Sequence, residues 1–542
     1  MNGADAMVQC LLHEGVDTIF GYSGVAIDPF WNSIGQTDIR SVLVRTEQNA
    51  GHAASGYART SGKPGVCAVT SGPGAVNLLT GIATAFADSI PLICITGQVV
   101  SEQIGSDVFQ EADVTGAAES FVKYSYLVRN AKDIPRIIHE AFYIANTGRR
   151  GPVLIDVPFD VQEQTISKFE LFEGDPKLRT YKPTVRGNMA QVKKVIKVLQ
   201  KAKRPLICCG GGIHLSRAEM ALKEFVERER IPVVSTMMGL GVLPTDHPMY
   251  FGMVGNNGHA AANRAMNESD TLLMVGARVA DRAVSAPDLT LEGKVLIHMD
   301  VDPAEIGKNV GPTIPIVGDA RHIFEDFLAE ECHGEHSAWV DTLNKYREDM
   351  KEERHSSPDF VNPQAFVRML SKAMPDNGIY VADVGQNQLF SCRNVVIREG
   401  GLFMTSGGMG TMGYSMPAAM GAVAADPDRL AVAVCGDGSF QMSMMELATM
   451  NQYDYPVKIV VFRNNYLGLV REHQHFVYAD DYNMVKLGGE PDLKLLSEAY
   501  HLNYFRAENM DGLSETLDKF LHTEGTVILE VMIDPMETVV MK

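Results

Sequence analysis

Several features common in secreted, membrane or nucleic-acid-binding proteins are missing from this 542-residue chain. No apolar run reaches about 18 residues, and Met1–Ala6 lacks the basic start of a signal peptide. Positive charge is scarce: the formal net charge is −19, which argues against nucleic acid or an anionic membrane as a partner. The eight cysteines show no metal-ligand spacing and lie mostly in apolar runs. We therefore expect reduced core cysteines and a cytoplasmic protein.

What the sequence does contain is an alternation of strand-like apolar runs and helical patterns along its whole length. This alternation predicts parallel sheets covered by helices on both faces, and the length allows about three domains. We predict an α/β fold of three consecutive doubly wound parallel-sheet domains, at residues 1–165, 186–340 and 362–542. The first and third blocks share size and style, as if one architecture were used twice.

The third block carries a Gly-Asp-Gly-Ser sequence at 436–439, directly after the apolar run 430–435. A helical pattern follows, and a second apolar run, 457–462, ends just before Asn464. Strand, helix and parallel strand bring Asp437 and Asn464 together at the carboxyl edge of one sheet. Glycines allow backbone N–H groups to approach an anion, while a carboxylate and an amide oxygen suit a hard cation. The pattern predicts a Mg²⁺-diphosphate site; the alternative is a tight turn and an ordinary asparagine.

The first block carries Glu47 between a strand-like run and a helix of small residues. Taken alone, Glu47 is an acidic residue near the positive end of a helix dipole. Together with 70–77 (Thr-Ser-Gly-Pro-Gly-Ala-Val-Asn) and the Gly-Asp-Gly-Ser region, however, it resembles the thiamine-diphosphate enzymes, most closely the acetolactate (acetohydroxyacid) synthase family. The resemblance covers essentially the whole chain. It extends to four further stretches: Gly81–Pro91, Val108–Glu111, Gly151–Pro158 and Ser406–Tyr414.

The resemblance implies a thiamine-diphosphate-dependent carboligase. Such an enzyme decarboxylates a 2-oxo acid, here expected to be pyruvate, and transfers the acyl carbanion to a second carbonyl compound. Glu47 would bond N1′ of the aminopyrimidine and favour the tautomer that removes the C2 proton. Met412 would pack beneath the cofactor, the Gly410 carbonyl would receive the 4′-amino proton, and Gln110 joins the catalytic set. Two alternatives remain: a related decarboxylase or carboligase with a different acceptor, and a catalytically silent regulatory relative.

The same resemblance assigns the cofactor contacts. Mg²⁺ would be held by Asp437, Asn464 and the backbone carbonyl of Tyr466. Thiamine diphosphate would be held by residues of both the first and the third block: Glu47, Pro73, Asn77, Gln386, Asn387, Gly410, Met412, Gly438 and Ser439.

The middle block matches the region where the synthase family holds FAD. Glycines at strand ends suit a pyrophosphate, and carboxylates at strand ends suit ribose or adenine. We therefore expect FAD as a further cofactor, although the wider superfamily retains this domain even where no flavin binds. The residues expected at the FAD site are Gly211, Gly212, Arg278, Asp300 and Asp319.

Departures from the family pattern concentrate in the expected substrate pocket. Phe109 is also expected to line this pocket. Val25 stands where glycine is usual, Phe159 where lysine is usual, and His473 where a tryptophan shapes the acceptor pocket. Either this is drift within a distant synthase or the acceptor pocket has been remodelled. The resemblance also implies a homodimer or homotetramer, a small regulatory subunit and a place in branched-chain amino acid biosynthesis.

Overall fold

The computed structural model describes residues 1–284, 291–311, 313–350 and 357–539. Within these ranges the strands form three six-stranded sheets, and every pairing between named strands is parallel. Helices cover both faces of each sheet, which confirms the predicted α/β class with three doubly wound domains. Each helix in the described part of the chain is too short or too polar to span a bilayer.

Domain 1 is built on a sheet whose central strands are buried along their whole length. Its strands are β1 Thr18–Tyr22, β2 Arg40–Leu43, β3 Gly65–Val69, β4 Leu92–Gln98, β5 Tyr124–Leu127 and β6 Val153–Pro158. They lie in the order β2-β1-β3-β4-β6-β5. Its helices are α1 Gly3–His13, α2 Asp28–Ile34, α3 Glu47–Ser61, α4 Pro73–Asp88, α5 Val114–Ala118, α6 Ile134–Asn146 and α7 Phe159–Glu163.

Domain 2 has its own hydrophobic core. Its strands are β7 Pro205–Cys209, β8 Val233–Ser235, β9 Tyr250–Met253, β10 Thr271–Val275, β11 Val295–Asp300 and β12 Ile314–Val317. They lie in the order β12-β11-β10-β7-β8-β9. Its helices in the described ranges include α8 Met189–Lys201, α9 Gly212–Ser216, α10 Glu219–Glu229, α11 Ala260–Glu268, α12 Ala320–Ala329 and α13 Ser337–Asp349.

Domain 3 carries the Gly-Asp-Gly-Ser sequence. Its strands are β13 Ile379–Ala382, β14 Leu402–Met404, β15 Ala431–Gly436, β16 Lys458–Arg463, β17 Asn503–Ala507 and β18 Val527–Met532, in the order β14-β13-β15-β16-β18-β17. Its helices are α14 Pro363–Ala373, α15 Gln386–Asn394, α16 Ser415–Ala425, α17 Asp437–Ser443, α18 Leu447–Gln452, α19 Gly468–Tyr478, α20 Leu493–Ala499 and α21 Leu513–His522.

Domains 1 and 3 share one topology. Numbered within each domain, both sheets have the strand order 2-1-3-4-6-5, as expected if one architecture is used twice. In domain 2, with the strands numbered in chain order and the sheet read from the β9 edge, the order is 3-2-1-4-5-6, which is that of dinucleotide-binding domains. In each sheet the order reverses near the middle, and ligands of open α/β sheets bind outside the carboxyl ends of the strands at such points.

Domains 1 and 3 pack through α3 and α16, whose backbones touch at two glycines. A Cβ atom on Gly56 would lie 1.9 Å from the carbonyl oxygen of Ala418, and one on Gly421 would lie 1.8 Å from that of Ala53. No side chain fits at either place without moving one helix away from the other. The two helices are thus locked at backbone contact, and one hydrophobic core runs through both domains.

One local element differs from the prediction. The apolar spacing over 440–450 predicts a continuous helix, whereas the structure has α17, a 3₁₀ turn at Met444–Glu446, and then α18. Ser443 leaves the helical conformation, with φ −136°, and the turn buries the Glu446 side chain completely. A buried carboxylate with partners in another domain has outweighed helical periodicity. The exact domain boundaries stay predictions.

Candidate active site

The structure places every site residue predicted in domain 1 at the carboxyl edge of its sheet. Because all six strands are parallel, the segments that follow them meet at that edge. The residues lie after β1 (Val25), β2 (Glu47), β3 (Pro73, Asn77), β4 (Phe109, Gln110) and β6 (Phe159).

Glu47 is the first residue of α3 and is half-buried. Among the described residues, its carboxylate has a single hydrogen bond, donated by Nδ2 of Asn77 over 3.0 Å. Gln110 stands in the left-handed region, with φ 60°, and its backbone lies against Gly72 at the start of α4. Glu47, Asn77 and the loop that carries Gln110 thus converge around the N-terminal end of α4.

Domain 3 brings Asp437 and Asn464 together, as the strand-helix-strand pattern predicts. Oδ2 of Asp437 accepts hydrogen bonds from the backbone N–H groups of Asn464 (3.0 Å) and Asn465 (2.6 Å), and Oδ1 accepts one from Gly438 (2.9 Å). The Asn464 side-chain oxygen accepts from the N–H of Tyr466 over 3.0 Å. One carboxylate, one amide oxygen and a nearby backbone carbonyl are hard oxygen donors of the kind Mg²⁺ takes.

The electrostatics of this group also fit a cation. Burial raises the pKa of Asp437 to about 7, the negative charge of Glu490 adds to the rise, and the three backbone N–H donors oppose it. A bound cation would compensate the buried negative charge and favour the ionised carboxylate. Within the described part of the chain, no cluster of three His, Cys, Asp or Glu side chains offers another metal site.

The amide side chains beside this group are tied into a network. Gln386 accepts a hydrogen bond from Nδ2 of Asn464 (3.3 Å) and donates to Oε2 of Glu472 (2.8 Å). Asn387 donates from Nδ2 to the backbone carbonyls of Asp383 and Val434, so both of its amide hydrogens are engaged within the protein. Ser439 bonds the backbone of Gly436. Gln386, Asn387, Gly438 and Ser439 therefore stand in one group around the metal-type ligands.

Two buried carboxylates hold the loop that carries Gly410 and Met412. Asp88, at the end of α4 in domain 1, accepts from the N–H of Gly408 over 2.7 Å and is paired with Arg59 at 2.8 Å. Asp383, after β13, accepts from the N–H groups of Gly413 (2.9 Å) and Ser415 (2.8 Å), and burial raises its pKa. Gly410 itself has φ 71°, in the left-handed region that favours glycine. Both ends of the loop are thus fixed.

The candidate FAD residues converge on one cavity of about 1020 Å³ at the carboxyl edge of the domain 2 sheet. The cavity also reaches loops of domains 1 and 3, including Gly410 and His473. Gly212 packs against Gly276. A Cβ atom on Gly212 would lie 2.6 Å from the Cα of Gly276, so chain packing alone already requires glycine at position 212. The cavity is lined by all five predicted residues: Gly211, Gly212, Arg278, Asp300 and Asp319.

Charge is mixed in this cavity. Burial raises the pKa of Asp300 to about 6, and the N–H of Asp302 opposes the rise. Arg149 from domain 1 pairs with Glu305 at 3.1 Å and with Asp302 at 3.5 Å. Glycines at strand ends, a carboxylate at the end of β11 and arginines from two domains are groups that fit a dinucleotide.

The predicted substrate-pocket residues lie on two different domains. Val25 and Phe109 of domain 1 are 79% and 87% exposed, and Phe159 begins α7. His473 lies on α19 of domain 3, at the cavity wall, with its ring edge-on to Tyr478. Among the described residues, no hydrogen bond, ion pair or ring contact joins His473 to the three domain 1 residues.

Comparison with known proteins decides the family. Models of thiamine pyrophosphate enzymes match three consecutive segments: the N-terminal TPP binding domain at 1–117, the central domain at 192–327 and the C-terminal TPP binding domain at 383–531. A probable acetolactate synthase large subunit of Methanocaldococcus jannaschii is 41% identical over 100% of this chain and 93% of its own length. The acetolactate synthase large subunit of Haemophilus influenzae is 38% identical over 99% of this chain and 96% of its own length. The chain belongs to the acetolactate synthase family.

Membership of the acetolactate synthase family establishes what kind of enzyme this is. It is a thiamine-diphosphate-dependent enzyme of the acetolactate synthase type, a carboligase, with thiamine diphosphate as cofactor. The two TPP binding domains correspond to domains 1 and 3, whose sheets share one topology.

Sequence reasoning on this acetolactate synthase-family chain missed three buried carboxylates. Asp88 and Asp383 fix the Gly410–Met412 loop, and Glu446 binds the segment around Glu47. The sequence signal for them was a carboxylate within an apolar stretch, as at Met444-Met445-Glu446-Leu447, because acidic side chains are rarely buried unless paired.

Proposed function

We propose that this protein forms its active sites between two copies of the chain, each site combining Glu47 of one copy with the Mg²⁺ ligands Asp437, Asn464 and Tyr466 of the other. The observation that carries the metal half of the proposal is the contact of Asp437 with Asn464, where three backbone N–H groups are directed at one buried carboxylate. Exposed apolar side chains support a covering partner: Val25 and Phe109 on domain 1 and Met484, 97% exposed, on domain 3. A homodimer satisfies this, and a pair of dimers would give a tetramer.

When bound, thiamine diphosphate would supply a nucleophilic carbon for the carbonyl of a 2-oxo acid and an acceptor for the electron pair left when CO₂ departs. Glu47 would orient the pyrimidine and exchange a proton with its ring nitrogen. The backbone carbonyl of Gly410 would accept a hydrogen bond from the amino group, and Met412 would support the cofactor from below. Gln110 would face the reacting centre, and Pro73 and Asn77 would lie beside Glu47. Gln386, Asn387, Gly438 and Ser439 would hold the diphosphate.

We further propose pyruvate as the donor and an acceptor choice shifted away from 2-oxobutanoate. His473 on the cavity wall offers less apolar area than the tryptophan usual in the family, and Phe159 removes a cation that could face a substrate carboxylate. One methylene more or less in a hydrophobic pocket changes discrimination between substrates by about 1–3 kcal/mol. Val25 and Phe109 complete the pocket from domain 1.

The acceptor prediction is tested with equal pyruvate and 2-oxobutanoate. The native enzyme should show weak preference for 2-oxobutanoate, and His473→Trp should raise the ratio of 2-oxobutanoate-derived to pyruvate-derived product about tenfold. Product masses from the competition give the ratio.

Affinity for thiamine diphosphate should not change, since His473 is not among the residues proposed to hold the diphosphate. His522→Trp, at an exposed histidine of α21 in the same domain, is the matched control and should leave the ratio unchanged. A native enzyme that already strongly prefers 2-oxobutanoate would contradict the remodelled pocket. Absence of turnover with any 2-oxo acid would instead favour a silent regulatory relative.

We also propose that domain 2 binds FAD, without a redox step in the net reaction. The purified protein should carry FAD or take it up, measured by absorbance and calorimetry. Gly211 lines the cavity with ordinary helical dihedrals, φ −61° and ψ −18°, so its backbone allows a side chain, whose Cβ would lie 3.3 Å from the Cβ of Met238. Because the new side chain would occupy ligand space, Gly211→Val should weaken FAD binding about tenfold or more.

The control for the flavin experiment is Gly311→Val, since a Cβ at Gly311 meets no atom within 4 Å and the residue does not line the cavity. Its FAD affinity should match that of the native protein. Carboligation by a native protein that binds no FAD would show that the nucleotide site no longer takes its ligand.

Three further proposals concern the setting of the enzyme. Relatives are named large subunits, which supports a small regulatory subunit as a partner. We also propose branched-chain amino acid biosynthesis as the pathway. All eight cysteines are free and buried, which supports a reducing compartment, the cytoplasm.

A further inference from the structure

The segment that carries Glu47 is held by side chains of domain 3. Oε1 of Glu446 accepts hydrogen bonds from the backbone N–H of Arg45 and from Nδ2 of Asn49, both over 2.9 Å. Arg45 lies two residues before Glu47, and Asn49 lies two residues after it. One oxygen atom, Oε1 of Glu446, therefore binds the chain on both sides of the proposed catalytic carboxylate.

Glu446 is itself buried and hydrogen-bonded. Its side chain is fully buried, and Oε2 accepts a hydrogen bond from Oγ1 of Thr449 over 2.6 Å. A buried carboxylate is costly unless its oxygens are satisfied by donors, so any shift of Arg45 or Asn49 away from it is opposed. Charge-assisted hydrogen bonds of this kind are roughly twice as strong as neutral ones.

By contrast, the Glu47 carboxylate has little support of its own. Its single hydrogen bond, among the described residues, comes from the exposed Asn77. The position of Glu47 therefore depends on the first turn of α3, and that turn depends on Glu446.

We propose that Glu446 is the positioning residue of Glu47: its buried carboxylate fixes the start of α3 so that the Glu47 side chain meets the pyrimidine ring at reactive distance. This inference rests on the proposed role of Glu47. Glu446 touches no cofactor and moves no proton; it acts through the backbone of Arg45 and the side chain of Asn49.

The test measures hydrogen–deuterium exchange at C2 of thiamine diphosphate bound to the full-length enzyme, with cofactor affinity measured separately by calorimetry. Misplacing a reacting group by about 1 Å can cost about 100-fold. Glu446→Ala should therefore slow exchange about 100-fold while changing the dissociation constant for thiamine diphosphate less than about threefold. Glu446→Gln keeps Oε1 as an acceptor and should recover most of the exchange rate.

Gln452→Ala is the matched control. Gln452 lies on the same interface, but it is exposed and bonds the side chain of Arg45 instead of its backbone. Exchange in this variant should equal that of the native enzyme.

Three outcomes separate the ideas. Native exchange in a folded Glu446→Ala enzyme, with slow exchange in Glu47→Gln, overturns the positioning role and leaves the role of Glu47 intact. Native exchange in Glu47→Gln removes the proposed function of Glu47 and this inference with it. Where Glu446→Ala does not fold, Asn49→Leu removes only one donor; slowed exchange at unchanged cofactor affinity then supports the proposal, and native exchange overturns it.

Discussion

Replacing Glu47 by glutamine should slow exchange of the C2 proton of bound thiamine diphosphate about 100- to 10,000-fold. A neutral amide cannot take the proton that the carboxylate exchanges with the pyrimidine nitrogen, although it matches the carboxylate in size. Asn77 can still bond the amide oxygen, so the first turn of α3 should keep its place. Quenched-flow exchange followed by NMR gives the rate, and circular dichroism checks the fold.

The control for this prediction is Glu119→Gln, the same chemical change at an exposed glutamate of domain 1. It should exchange at the native rate. Glu47→Gln exchanging as fast as this control would remove Glu47 from the mechanism and leave the metal site of domain 3 untouched.

Chains carrying Glu47→Gln and chains carrying Asp437→Ala should each be inactive alone and regain activity when mixed. In a hybrid dimer one site receives both lesions and the other receives neither. Random pairing of equal amounts makes half of the dimers hybrids, so about one quarter of native activity is expected. The assay requires unfolding and refolding the mixture, or co-expression, so that partners exchange.

A second mixture of variants is the control: it shows whether mixing any two inactive chains restores activity. Asp437→Ala and Asn464→Ala both damage the domain 3 half, so every site of their hybrid is defective and the mixture should stay inactive. Activity there, or a fully active native monomer in sedimentation, would contradict a site shared between chains.

Much of the fold follows from short-range sequence patterns. Buried strands such as β15, Ala431–Gly436, are almost continuous apolar runs, and parallel pairing places the residues that follow each strand at one edge of the sheet. This is why Glu47, Asp437 and Asn464 can be assigned to sheet edges on the sequence alone. The direct contact of Asp437 with the backbone of Asn464 bears out that reasoning for the pair.

The contacts between domains could not be predicted in the same way. Glu446 meets Arg45 across 401 positions of sequence, and Asp88 meets Gly408 across 320. Nothing in the local pattern around an acidic residue specifies a partner so distant. The break between α17 and α18 has the same origin, because helical spacing continues through the turn that buries Glu446.

The glycine contact between α3 and α16 limits how the enzyme can move. α3 starts at Glu47, and α16 begins three residues after Met412. Backbones in direct contact, with Gly56 and Gly421 at the crossing, leave no room for one helix to slide or roll over the other. A shear or hinge motion between domains 1 and 3 of one chain therefore cannot open and close the active site. Substrate entry and product release must use other segments, such as the loop between β4 and α5 that presents Phe109.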